Sequence, residues 1–190
     1  AEKPAGIILS GSPANVYAKD SPIPDKRLLL CGVPILGICY GMQVTAHLFG
    51  GRVHKSHKRE YGFSELHIDK RQSPLFKGLP KHLTCWMSHG DKLERLPGGF
   101  ERLAHTENAP FAAMGDAKRK IYCIQFHPEV AHTPLGPRIL KNFLSRVCGC
   151  RMTWTPESFI TESVRHIRRQ VGSDRVVLGL PTAWIGARSP

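Results

Sequence analysis

Three features of the sequence predict an α/β fold. Residues 33–38 form an apolar run that passes without a break into the Pro-free stretch 40–49, closed by Gly50 and Gly51. That is the pattern of a buried strand turning sharply into a helix. Short apolar runs at 5–10 and 121–126 each end in a polar turn, as strands of this class do. Residues 138–147 place Ile139, Leu140, Phe143, Leu144 and Val147 on one side of a helix.

In chain order, the 5–10 strand is closed by Gly11-Ser12-Pro13, and a Pro-, Asn- and Asp-rich surface loop follows to Pro24. Residues 25–31 predict a short helix before Gly32, and the strand and helix around Cys39 come next. The Lys- and Arg-rich stretch 52–59 reads as a basic connection, and 64–68 and 83–87 as strands. Ser88-His89-Gly90-Asp91 is expected to be a polar turn. Weaker strand patterns at 103–105 and 111–114 flank Asn108-Ala109-Pro110. The 121–126 strand delivers His127-Pro128-Glu129 at its end, and the helix over 138–147 closes the unit. Past Gly149 the character changes: Thr155-Pro156-Glu157 predicts a helix start, Phe159, Val164, Ile167 and Val171 a helical stripe, and 175–180 a new strand. The boundary falls near Cys150.

At 190 residues the chain holds one sizeable core and part of a second unit. Hydrophobic content of 41% with 22% charged residues is globular composition. No apolar run approaches a membrane helix, so no membrane partner is expected. The N-terminal residues lack the pattern of a signal peptide, and the six cysteines lack secreted-scaffold spacing; both point to a reducing cytoplasm. A net charge of +12 raises the question of nucleic acid, but no aromatic residues interleave the basic run and no zinc-finger or helix-turn-helix signature accompanies it. A basic surface facing solvent, a nucleotide or a partner domain is expected instead. His47, His54, His57 and His132 form no close ligand set with Cys or carboxylates, so no metal site is expected.

Gly37-Ile38-Cys39-Tyr40-Gly41 has the form of a nucleophile elbow with a thiol in place of serine. Cys39 then sits at a helix N-terminus, whose positive end favours negative charge on sulfur. His127 and Glu129 share a face in extended backbone, or meet through a small turn at Pro128. Nucleophile, base and orienting carboxylate suit acyl transfer. The oxyanion needs two N–H donors. Tyr40, just after the nucleophile, is expected to supply one, and the Gly11-Ser12-Pro13 turn, at the end of an expected neighbouring strand, the other.

Residues 37–43 together with Gln125-Phe126-His127-Pro128-Glu129-Val130 resemble the class I glutamine amidotransferases. Within that family, Arg59-Glu60-Tyr61-Gly62, Trp86-Met87-Ser88-His89-Gly90-Asp91 and the run Phe126 to Thr133 resemble the branch whose ammonia is used to aminate XMP. The resemblance implies an open, mostly parallel sheet flanked by helices, flavodoxin-like, with the family's first strand and helix missing ahead of Lys3. It implies Cys39 as nucleophile, His127 as base and Glu129 as its partner. It also implies that Gln43, Ser88 and His89 hold glutamine. The glutaminase step needs no cofactor. In the full-length family, a second domain uses ATP and Mg²⁺ on XMP and carries the homodimer contact. Residues 1–150 are accordingly expected to be the amidotransferase domain and 151–180 the start of an ATP pyrophosphatase domain.

Besides the missing first strand and helix, two further departures matter. Ser12 stands where the family usually has a second glycine, a strained substitution if the position needs φ > 0. Residues 181–190 replace the family's phosphate-cradling loop. Read one base out of frame, the Trp184–Ile185 junction is forced to encode Asp and its neighbours nearly restore that loop. The expectation is a frame-shifted tail on a gene fragment. The reading against which the glutaminase stands is a catalytically inert fragment of the family, or a basic nucleic-acid-binding module.

Overall fold

The computed structural model describes residues 3–153 and 155–177, without the side chains of 56–59. The chain separates into two compact units, one up to Cys150 and one from Arg151. In the first unit the strands are β1 (Ile7–Leu9), β2 (Ile35–Ile38), β3 (Arg52–Ile68), β4 (His82–Arg95), β5 (Glu101–His105), β6 (Ala113–Asp116) and β7 (Ile121–Ile124). The helices are α1 (Lys26–Leu29), α2 (Tyr40–Leu48) and α3 (Gly136–Asn142), the last running into a π-helical turn, Phe143–Val147. The second unit contains α4 (Pro156–Val171).

All seven strands form one open sheet in the order β1-β2-β7-β6-β5-β3-β4. Strand β2 lies parallel to β1 on one side and to β7 on the other, pairing Ile35 with both Ile7 and Ile121. Every residue of β2 and β7 is buried, which is why both read as continuous apolar runs. Alternate side chains feed two cores on opposite faces of the sheet. Leu36, Ile38 and Ile124 join Phe76, Phe126, Ile139 and Phe143 on one face. Ile35, Ile121 and Cys123 join Met42, Val44 and Met114 of the α2 side on the other. Helices α2 and α3 therefore cover different faces, the layering expected of the predicted α/β class.

In the sheet the structure departs from the sequence expectation. The parallel part of the sheet is confined to β1, β2 and β7, while β6, β5, β3 and β4 are all antiparallel to their neighbours. The basic stretch from Arg52 is the first half of β3, and Ser88 to Asp91 lie inside β4. Both segments are rich in polar residues, so neither shows an apolar strand pattern. They are held instead by pairing with each other along a long ribbon, with Val53 opposite Leu93, both buried, and Lys55 opposite Asp91. A register shift between Lys55 and Glu60 lets the ribbon twist where the cleft opens.

In the second unit, Thr155 caps α4: its hydroxyl accepts from Ser158 N, and Ser158 Oγ accepts from Thr155 N, a reciprocal box with Pro156 at the first turn. Of the strand expected at 175–180, residues 175–177 are described and carry no regular structure. Residues 178–180 and the tail 181–190 lie outside the described residues.

Candidate active site

Cys39 is the hinge between β2 and α2, with φ 51° and ψ −105°, a conformation that a residue with a Cβ adopts only under constraint. The constraint comes from both sides. Cys39 N donates to Ile124 O at 2.8 Å, while Cys39 O accepts from Met42 N and Gln43 N in the first turn of α2. A Cβ on Gly41 would sit 2.2 Å from Leu9 O, and one on Gly37 would sit 2.8 Å from the Gly41 carbonyl. Helix and strands approach this closely because neither position carries a side chain. The thiol is nearly buried; it donates to Ser88 O at 3.6 Å and receives Gln125 Nε2 at 3.7 Å.

His127 follows the last strand of the parallel set. Its N–H donates to Trp86 O at 3.0 Å. Thr133 Oγ donates to His127 O at 2.6 Å and accepts from Trp86 N at 3.0 Å, so one hydroxyl ties the histidine's backbone to β4. Glu129 reaches His127 through a turn at Pro128, not along an extended strand, and its Oε1 lies 2.6 Å from His127 Nδ1. Gly11 packs against both residues, and a Cβ there would be 3.2 Å from His127 Cε1 and 3.7 Å from Cys39 Cβ; the imidazole reaches the Cys39 sulfur. The Cys39 sulfur pulls the imidazole's pKa up; burial works against it, Glu129 adds to it, and the net result is a value near 9.

These residues open onto a cleft of about 700 Å³, which Ser12, Gln43, Lys55, Tyr61 and residues 88–91 also line. Tyr40 is the first residue of α2, where N–H groups lack an intrahelical acceptor. Ser12 is half-buried and its Oγ accepts from Ala14 N at 3.2 Å. Among the described residues, only Cys39 and Lys120 are non-glycines with positive φ, so Ser12 carries no left-handed strain. Gln43 Nε2 donates to Asp91 O at 3.0 Å, and His89 Nδ1 meets the same carbonyl at 2.9 Å. Both side chains thus brace the cleft wall from behind, while Ser88 offers its backbone carbonyl to the thiol.

Sequence reasoning missed Glu60. It is 7% exposed, and its Oε2 lies 3.3 Å from His89 Nε2; Ser64 and Thr106 both donate to Oε1. Burial pushes its carboxyl up, but His89 and the two hydroxyls outweigh burial and leave it below the usual carboxylate range. Gln125, fully buried behind the sulfur, was also missed. The signal available for Glu60 was its place on the inward side of a strand pattern that becomes visible only once β3 is known to begin at Arg52. Among the described residues a trio not considered from the sequence, Glu65, His67 and His82, comes together away from the cleft.

The family model for glutamine amidotransferase class-I matches residues 1–147. The chain belongs to the class-I glutamine amidotransferase family. Among curated relatives, GMP synthase [glutamine-hydrolyzing] of Thermomicrobium roseum is 54% identical over 177 residues, 93% of this chain and 33% of the relative. The Aquifex aeolicus protein of the same name is 49% identical over 179 residues, 94% of this chain and 35% of the relative. The chain spans about a third of the length of these relatives. Among solved structures, a Thermoplasma acidophilum protein provisionally described as one subunit of GMP synthase aligns with TM-score 0.64 and 31% identity, covering 87% of this chain and 76% of that one. A Thermotoga maritima glutamine amidotransferase aligns with TM-score 0.62 at 20% identity, covering 76% and 77%, and shows the shared fold. Among the described residues, no helix is long and apolar enough to cross a membrane.

Proposed function

We propose that this chain hydrolyses glutamine to glutamate and ammonia, with Cys39 as nucleophile, His127 as proton carrier and Glu129 as its orienting partner. The observation that carries the proposal is the convergence of Cys39 and His127 beside Gly11 in the cleft, with Glu129 on Nδ1 of the ring. The thiolate attacks the side-chain amide carbon of glutamine. The oxyanion is held by the N–H groups of Tyr40 and Ser12. His127, protonated, gives its proton to the departing ammonia; neutral, it then takes one from the water that attacks the thioester. Glutamate leaves and the thiolate returns. Gln43 and His89 fix the Asp91 carbonyl, and so the wall formed by Ser88 to Asp91, against which the substrate's backbone groups dock.

In the whole protein the ammonia would serve the ATP- and Mg²⁺-dependent amination of XMP, the reaction of glutamine-hydrolysing GMP synthases, in the cytoplasm. Residues 1–150 would be its amidotransferase domain, and the segment from Arg151 the opening of its pyrophosphatase domain. The amination itself, and any homodimer, belong to that longer protein. Nucleic acid is not a partner in this reading; Lys55, from the basic run, lines the cleft.

The test is covalent labelling. An electrophilic glutamine analogue should add once per chain, as read by intact mass; free glutamine should protect, and Cys39→Ala should abolish the adduct. A folded chain that takes no adduct would contradict the proposal and favour an inert fragment.

A further inference from the structure

Antiparallel pairing places His67 of β3 directly opposite His82 of β4, and also opposite His105 of β5. Glu65 lies two residues before His67, on the same solvent side of β3, where Leu66 and Ile68 alternate into the core. His82 Nδ1 is 3.3 Å from Glu65 Oε1, and His67 Nε2 is 3.9 Å from Glu65 Oε2. The three donor atoms all lie within 4.8 Å of one another.

From this juxtaposition we propose that Glu65, His67 and His82 form a site for a divalent transition-metal ion such as Zn²⁺. Zn²⁺ bonds nitrogen and carboxylate oxygen at about 2.0–2.2 Å, so neighbouring ligands of a tetrahedral ion sit roughly 3.4 Å apart. His82 already stands at that separation from Glu65 Oε1, and rotation of the partly exposed side chains brings in His67, now 3.9 Å from the other carboxylate oxygen. Two imidazoles and one carboxylate are a borderline-soft donor set that favours Zn²⁺, Ni²⁺ or Cu²⁺ over Mg²⁺ or Ca²⁺. A fourth position is left for water.

The surroundings support the ligands. His105 stacks on His67, with centroids 5.2 Å apart and planes 15° from parallel. Its Nδ1 is 3.1 Å from Asp69 Oδ2, which Arg102 Nε also holds at 2.9 Å. The ligands sit on strands paired in one sheet, so their backbone positions are rigid before the ion arrives. As bare surface ion pairs, the same contacts would contribute little; bridged by a metal, they clamp β3 to β4. The site is about 23 Å along β4 from His89, seven residues away at roughly 3.3 Å each. It is therefore separate from the cleft and independent of the glutaminase reading.

The test uses the untagged chain titrated with Co²⁺, followed by visible absorption and equilibrium dialysis. One Co²⁺ should bind per chain with ligand-field bands and without a thiolate charge-transfer band. Zn²⁺ should displace it, and binding should fail at acid pH as the imidazoles protonate. His82→Ala and Glu65→Gln should each remove binding while their metal-free melting curves match wild type. Zn²⁺ should raise the melting temperature of wild type alone. A thiolate band, binding that survives both substitutions, or no binding by wild type would each overturn the proposal.

Discussion

Glu60 and His89, on paired positions of β3 and β4, face each other at 3.3 Å inside the protein, and His89 in turn holds the Asp91 carbonyl at the cleft wall. A charge this deeply placed stays ionised because its neighbours favour it more than burial opposes it. Replacing Glu60 with Gln should destabilise the fold by about 1–3 kcal/mol and raise KM for glutamine more than it lowers kcat. The native carboxyl is more acidic than in the unfolded chain, so its stabilisation is present above the ordinary value near 4.5 and lost as pH falls below it. Urea denaturation of both proteins at neutral and acid pH should show the gap between them shrinking on acidification.

His127 behaves in the opposite sense. Its pKa is raised from 6.5 to about 9, so the folded state retains a proton that the unfolded chain has released. This stabilisation is complete below about 6.5 and disappears as pH rises through about 9. In the proposed reaction, glutamine hydrolysis should decline above about pH 9, where the imidazolium can no longer protonate ammonia. Glu129→Gln should move that alkaline limb to lower pH, since a carboxylate that favours the charged ring is gone. A limb that stays in place in Glu129→Gln would separate Glu129 from the proton transfer.

Cys39 is held at φ 51° by backbone hydrogen bonds on both sides. Cys39→Ala and Cys39→Gly should both abolish hydrolysis, but the glycine variant should be more stable than the alanine variant by about 1 kcal/mol. Paired thermal melts of the two would check this.

The close approach of α2 to β1 leaves no room at Gly41. Gly41→Ala would put a methyl group 2.2 Å from Leu9 O, and the displaced helix should cost about 2 kcal/mol or more. Labelling by the glutamine analogue should fall with it, because Cys39 and Tyr40 move with the helix start.

Thr133 binds Trp86 and His127 through one hydroxyl. Thr133→Val keeps the shape and removes both bonds. Stability should drop by about 1–3 kcal/mol, and kcat should fall while glutamine binding is preserved. Steady-state kinetics would distinguish this from a general loss of folded protein.

The parts of the fold written in contiguous residues were the legible ones. Strands β2 and β7 are apolar on both faces, α3 and α4 carry helical stripes, and Asp25 and Thr155 accept from the first turns of α1 and α4. The outer half of the ribbon of β3 and β4 was not legible, because it is polar and is stabilised by pairing instead of by burial of a continuous apolar face; its inner halves, 64–68 and 83–87, alternate and were read as strands. The same cause hid Glu60: a carboxylate beside a run of basic residues looks solvated until the register turns it inward toward His89.

By itself the sequence determined the elbow at Cys39, the His127-Pro128-Glu129 segment and the family. Each is specified by a few neighbouring residues whose local conformation leaves little choice. Only the tertiary structure decided that Cys39 and His127 meet beside Gly11, that Thr133 ties His127 to β4, and that Glu65, His67 and His82 meet on one side of the sheet. Those relationships join residues far apart in the chain. They exist because strand order and a side-chain period of two decide which distant residues become neighbours.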